Sequence, residues 1–288
     1  MTIGRSILTV ATAARSRQLT TLATVKERLG VSGSSKDAAL TRLINEASRK
    51  LAGAAFLGRE PWRESLTEQL PGYGPQQQNL YLSRFPIETV TSVTKDGLAL
   101  DATSYSIAGR HRSCLYRKTG WDWTARYGSR LVDDPTLGTE ELAFLATYTA
   151  GWLMPGQVKD WAPATVFAKY SWCRATDPTN QLRFEATAVS GTGTTGGGEP
   201  TWPTVVGDTA TDIAGGNQIV WTARSARELP EDLELAAWRL VQRGYYGDSG
   251  NPLAQSISKG GASITYATTS QRREELEDEI RAICAEYR

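Results

Sequence analysis

The chain has 288 residues, 40% of them hydrophobic, and carries 32 Lys and Arg against 31 Asp and Glu. Such a composition builds a globular core, and the balanced charge argues against bulk attraction to nucleic acid or to a membrane surface. No apolar run reaches the ~20 residues of a membrane span, threonines interrupt Ser6–Ala14 where a signal peptide would be apolar, and Cys114, Cys173 and Cys284 form no CxxC pair that would suggest a disulfide framework or a zinc site.

In chain order, the first eighteen residues hold Arg5, Arg15 and Arg17 without an acid and read as an extended N-terminal arm. Leu19–Gly30 reads as a short helix with Thr20 or Thr21 as cap, Leu22, Val25 and Leu29 on one face, and Gly30 as stop. Ser34-Ser35-Lys36-Asp37 then offers a capping box. The helix that follows places Leu40, Leu43, Ile44, Ala47 and Leu51 on one stripe.

From Asn79 the period changes to short β-type runs: Asn79–Leu82, Ile87–Val93, Leu98–Leu100, Tyr105–Ile107 and Cys114–Tyr116. Lys95-Asp96-Gly97 supplies a tight turn, since Asp-Gly tolerates the positive φ angles of a type I′ hairpin. Leu142–Tyr148 alternates poorly and predicts a strand buried on both faces, with a helical turn as the alternative.

The stretch 153–226 differs in character. It is poor in Lys and Glu, rich in Gly, Thr and Trp, and shows no helical period. Phe167–Ala175, Phe184–Ala188, Val205–Val206 and Gln218–Thr222 read as strands of a small all-β unit. The glycine-rich Gly191–Gly198 lacks a Lys-Ser/Thr ending and opens no helix, so it is a connection and not a phosphate loop.

Leu229-Pro230-Glu231-Asp232 opens a second strong helix, because proline suits a first turn whose N–H groups are unpaired and acids complement the helix dipole. Leu233, Ala236, Ala237, Leu240 and Val241 form its apolar face, with Gly244 as the expected end. A possible hairpin at Ser256–Ala267 follows. The terminal helix, Thr269–Arg288, repeats Leu276, Ile280, Ile283 and Tyr287 at helical spacing.

Several of these segments together resemble the head–tail adaptor (connector, or head-completion) proteins of tailed bacteriophages. The similar stretches are Leu19-Thr20-Thr21-Leu22-Ala23 with Val25-Lys26 and Leu29-Gly30-Val31, the helix of Asp37–Leu51, and Phe85-Pro86-Ile87 through Val90-Thr91-Ser92-Val93 to Asp96-Gly97. Tyr148-Thr149-Ala150-Gly151-Trp152 looks like the family's strand end, and Leu229-Pro230-Glu231-Asp232-Leu233 like the start of its last core helix. The order of these motifs over 7–152 and 227–288 carries the match. A departure is the seventy or so residues between Trp152 and Pro230, where ordinary members have a short loop; closure entropy grows slowly enough with length to tolerate an insertion. Glu199-Pro200-Thr201-Trp202-Pro203, Gly207-Asp208-Thr209 and Ile219-Val220-Trp221 within it resemble a small, carbohydrate-binding-like β-module of phage tail proteins.

The expected fold is therefore α+β: a helical core with a small antiparallel sheet, plus an inserted small all-β domain. The expected division is 1–18 arm, 19–152 with 227–288 adaptor core, and 153–226 insert. The resemblance implies a structural virion protein of the neck, assembled in the host cytoplasm, and no enzyme. It would form a homo-oligomeric, typically dodecameric, ring between the portal and the tail, stopper or tail-terminator protein. Such a ring extends the channel for packaged double-stranded DNA, touches DNA only nonspecifically, and requires no cofactor, metal or membrane. The insert would project outward, towards the capsid.

Five groups of residues bear on function. The terminal turn, with Ile283, Glu286, Tyr287 and Arg288, is the expected portal-docking segment, packing on its own subunit being the alternative. Arg5, Arg15 and Arg17 are expected either as a solvated arm or as contacts to a neighbouring subunit or DNA. Trp172, Trp202 and Trp221 read as core of a small β-domain, with a glycan-facing platform as the alternative and Trp202 the most exposed. The lone His111 lacks a nucleophile and an orienting acid nearby in sequence. Asp208 with Asp212 is the tempting glycosidase pair, but both fall in turn-rich sequence and read better as turn residues. An adhesion or decoration protein acting through the insert is the alternative to the adaptor.

Overall fold

The computed structural model describes residues 6–70, 77–121, 143–177, 179–246, 256–259, 262–265 and 269–287. Two compact units are present, one made of the first 15 residues with 61–153 and 157–228, the other of 16–60, 154–156 and 229–288.

The first unit is built of strands. Its N-terminal half contains Ile7–Thr12 (β1), Glu64–Leu70 (β2), Asn79–Tyr81 (β3), Ile87–Lys95 (β4), Leu98–Ala99 (β5), Ser106–Ala108 (β6), Cys114–Tyr116 (β7) and Phe144–Ala150 (β8). An antiparallel five-stranded sheet runs in the order β1-β2-β8-β4-β5, with a smaller sheet in the order β3-β7-β6. Asp96 and Gly97 adopt φ of 50° and 80°, as the expected hairpin turn between β4 and β5 requires. β8 alternates cleanly: Phe144, Ala146, Tyr148 and Ala150 are buried, while Leu145, Thr147 and Thr149 are only partly covered. This corrects the expectation of a strand buried on both faces; Leu142 itself lies outside the described residues. The core joins Leu66, Leu70, Leu80, Leu115, Phe144 and Tyr148 around Trp121. The Trp121 indole N–H donates to the carbonyls of Gln78 and Leu115, each at 3.0 Å, so this large side chain is buried with its polar atom satisfied.

Trp152–Leu153 (β9) leads into the second half, made of Val158–Asp160 (β10), Trp172–Arg174 (β11), Arg183–Ser190 (β12), Thr209–Ala214 (β13) and Asn217–Arg224 (β14), and Arg227–Glu228 (β15) leads out. β9 and β15 pair in parallel, Trp152 opposite Arg227, so the entering and leaving chains lie side by side. The five-stranded sheet between them has the order β10-β11-β12-β14-β13. Phe167, Phe184, Ile219, Trp161 and Trp221 form its core. Val205–Val206, expected as a strand, is an exposed loop, and of Phe167–Ala175 only Trp172–Arg174 is strand.

The second unit holds Leu22–Leu29 (α1), Asp37–Ala52 (α2), Glu231–Tyr246 (α3), the hairpin of Ser256–Lys259 (β16) with Ala262–Thr265 (β17), and Thr269–Ala285 (α4). Thr21 caps α1, its hydroxyl accepting from the Thr24 N–H at 3.1 Å, and Gly30 closes it with φ of 65°. Leu40, Ile44, Ala47 and Leu51 of α2 are buried, as are the five predicted residues of α3 and Ile280 and Cys284 of α4. Two helix-end expectations are corrected. α2 has no side-chain cap, because the Ser34 carbonyl already accepts the Asp37 N–H at 3.1 Å, and the Asp37 carboxylate pairs with Lys26 at 2.7 Å. Gly244 does not end α3; a Cβ there would lie 2.9 Å from Leu43, so the glycine admits the α2 side chain.

The expected helical core with a small sheet is thereby overturned. Among the described residues, strand makes up 33% against 24% helix. Among the described residues the four α-helices all lie in the second unit, while the first holds strands and one short 3-10 turn, Ala102–Ser104. The missing weight was in β1 and β2. The inward positions of β2 are Glu64, Leu66, Glu68 and Leu70, so half of its buried face is acidic and hides the strand's period. Glu68 is satisfied there by the Tyr148 hydroxyl at 2.7 Å, the Ser83 N–H at 3.0 Å and the Ser83 hydroxyl. Glu64 accepts the Ala14 N–H at 3.2 Å. A buried carboxylate persists only with such partners.

Candidate functional site

The predicted site residues are dispersed. At the end of α4, Ile283 is half-buried and Glu286 exposed. Tyr287 is engaged within its own unit: its hydroxyl donates to both Asp232 oxygens at 3.0 and 2.9 Å, and its carbonyl accepts from Arg59 at 3.1 Å. Arg5 and Arg288 lie outside the described residues. Arg17 is exposed. The Arg15 guanidinium lies 4.9 Å from the Tyr170 ring centroid and 3.4 Å from the carbonyls of Lys169 and Tyr170.

In the insert, Trp221 is fully buried, meeting Phe167 edge-on at 5.0 Å, and Trp172 is buried in β11. Trp202 is the most accessible of the three, stacked on Phe184 at 4.1 Å with its indole N–H donating to Glu199. The turn reading of Asp212 is corrected. It is a buried strand residue that accepts from the Trp161 indole at 2.9 Å and the Gly196 N–H at 2.6 Å, whereas Asp208 is exposed in the loop before β13. His111 is half-buried between β6 and β7. Burial and the nearby Glu199 push the Cys173 thiol up to about 12, which favours its protonated form at neutral pH. Among the described residues no group of three or more His, Cys, Asp or Glu side chains has metal-holding geometry, and no helix is long and apolar enough to cross a membrane.

What the fold does assemble is a cavity of about 540 Å³ within the first unit, between the solvent-side face of the β1-β2-β8-β4-β5 sheet and the insert strands β11, β12 and β14. Its floor is hydroxyl-rich, with Ser65, Thr89, Thr91 and Thr149; the Ser65 and Thr149 hydroxyls, facing each other across β2 and β8, are 3.1 Å apart. Two ion pairs stand at its sides. Arg63 grips both Glu88 oxygens at 2.5 and 3.2 Å, and Arg224 meets Glu185 at 3.0 Å. The Arg63 guanidinium also lies 4.7 Å from the Trp172 ring centroid, held against that aromatic face. Glu64, Arg15 and Tyr170 also line the cavity. Three arginines and three glutamates thus face one cavity with no net charge. Apart from Arg15 and Trp172, none of these side chains stands out in the sequence as a candidate site residue. They come from six strands and their flanks, spread from residue 15 to residue 224, and no spacing along the chain brings them together.

Compared with protein-family models and with curated proteins, the sequence matches none.

Proposed function

We propose that the chain is a head–tail adaptor subunit of a tailed-phage virion, a structural protein that assembles into a ring between the portal and the tail or stopper and continues the channel for packaged DNA. The sequence support is the order of the adaptor-like motifs through 7–152 and 227–288. The structural observation that favours it is the chemistry of the main sheet's two edges. At one end, β1 exposes Ile7 (54%) and Val10 (41%) and contains no charge or proline; at the other, β5 exposes Leu98 (75%). Monomeric proteins normally blunt an edge strand with charge, proline or a covering element. The β4 side of this sheet shows such blunting: Arg112 donates to the carbonyls of Ile87 and Glu88 at 2.7 and 3.0 Å, and the Ser225 hydroxyl donates to Glu88 at 3.2 Å. The β1 edge, apolar and unblunted, suits contact with a different surface of the next subunit, the head-to-tail kind that closes into a ring.

The work of such a ring is mechanical. The insert is assigned to its outer side, towards the capsid, and Glu286 at the end of α4 to the portal side. The test is negative-stain microscopy of the purified protein mixed with portal. Closed rings on the portal are expected, and Ile7→Lys with Val10→Lys should abolish them while leaving the circular dichroism spectrum unchanged. Rings that persist in the double variant, or a monomer indifferent to portal, would overturn the reading.

A further inference from the structure

We propose that the cavity between the main sheet and the insert is a binding site for a neutral saccharide of one or two sugar units. This is separate from the adaptor reading, and of the insert tryptophans weighed above only Trp172 lines the cavity.

Size comes first. About 540 Å³ falls within the roughly 300–1,000 Å³ of small-molecule pockets. Charge then selects the class. Arg63 and Arg224 are already matched by Glu88 and Glu185, and the lining as a whole is balanced, so neither an anion nor a cation gains a net partner. A polyol asks for donors and acceptors in close alternation. Ser65 and Thr149 each offer both, the guanidinium edges offer donors, and the carboxylates offer acceptors. The arginines are also held in place: stacking on Trp172 and the two-point grip of Glu88 fix the plane of the Arg63 fork, so little side-chain entropy remains to be lost on binding.

The rim supplies an independent observation. Tyr170 is 43% exposed and adopts φ of +67°, a left-handed conformation that is unusual for a bulky residue. Its N–H donates to the Ala186 carbonyl at 2.6 Å, which anchors the strained backbone to β12. Strain of this kind persists where the surroundings enforce it and concentrates at ligand-holding positions. Here it sets an aromatic ring at the mouth of a hydroxyl-lined cavity.

Saturation-transfer NMR on the full chain tests this with maltose, lactose and diacetylchitobiose as probes and inorganic phosphate as the charged control. At least one disaccharide is expected to bind with a dissociation constant in the millimolar range or tighter, without competition from phosphate. Thr149→Val, which keeps the β-branched shape and deletes the hydroxyl, should weaken it about tenfold. Tyr170→Gly removes the ring and relieves the positive φ, so it should fold at least as well as the parent and still lose affinity. No binding by any probe, stronger binding of phosphate, or unchanged affinity in both variants would overturn the proposal and leave the cavity a solvated seam.

Discussion

Replacing Gly151 by alanine separates steric exclusion from backbone strain. Gly151 links β8 to β9, where the starts of β2 and β4 also converge: its N–H donates to the Pro86 carbonyl at 2.9 Å, and the next residue, Trp152, donates to Pro61 at 2.9 Å and accepts from Arg63 at 3.0 Å. Its φ is +104°, and a Cβ would lie 2.3 Å from the Trp62 carbonyl oxygen and 2.8 Å from the Arg63 nitrogen. Those are backbone atoms, so no side chain can swing aside. The unfavourable φ alone costs about 1–3 kcal/mol, and displacing the start of β2 brings the expected total for Gly151→Ala to at least about 3 kcal/mol. Gly97→Ala is the control. Its φ is +80° and nothing lies within 4 Å of the added carbon, so only strain applies, about 1 kcal/mol. Urea unfolding followed by tryptophan fluorescence measures both. Losses equal within about 0.5 kcal/mol would refute the close approach of Gly151 to the Trp62 backbone.

Three further outcomes follow from buried or paired polar groups. Tyr148→Phe deletes a donor to the buried Glu68 and should cost about 2 kcal/mol in urea unfolding. A loss below about 0.5 kcal/mol would mean that the carboxylate does not depend on that hydroxyl. Asp212→Ala strands the Trp161 indole and the Gly196 N–H inside the insert and should cost about 2–4 kcal/mol, read by near-UV circular dichroism on thermal unfolding. Arg243 and Lys50 hold the Glu277 carboxyl below its ordinary value of 4.5. A depressed folded pKa adds stability above the unfolded value that is lost as pH falls through the folded one. Acidification below about pH 4.5 should therefore weaken the helical unit, and Glu277→Gln should flatten that part of the stability profile.

Helices with an apolar stripe were legible in the sequence. α3 shows why: Leu233, Ala236, Ala237, Leu240 and Val241 recur at helical spacing behind Pro230 and two acids, and all five are buried. The β4–β5 hairpin was legible through Asp96-Gly97, because turn chemistry is local. β2 was not, since Glu64 and Glu68 occupy core positions that only tertiary partners make tolerable. β13 was hidden similarly, with Asp212 pointing inward and Ile213 outward. The cavity was the least legible feature. Ser65, Glu88, Thr149, Glu185 and Arg224 are ordinary polar residues in sequence and converge only once the main sheet and the insert stand side by side.

The most direct test of the adaptor proposal is electron microscopy of lysates from the parent phage with this gene disrupted. The account predicts DNA-filled or leaking heads lying apart from finished free tails. Intact tailed particles would contradict it.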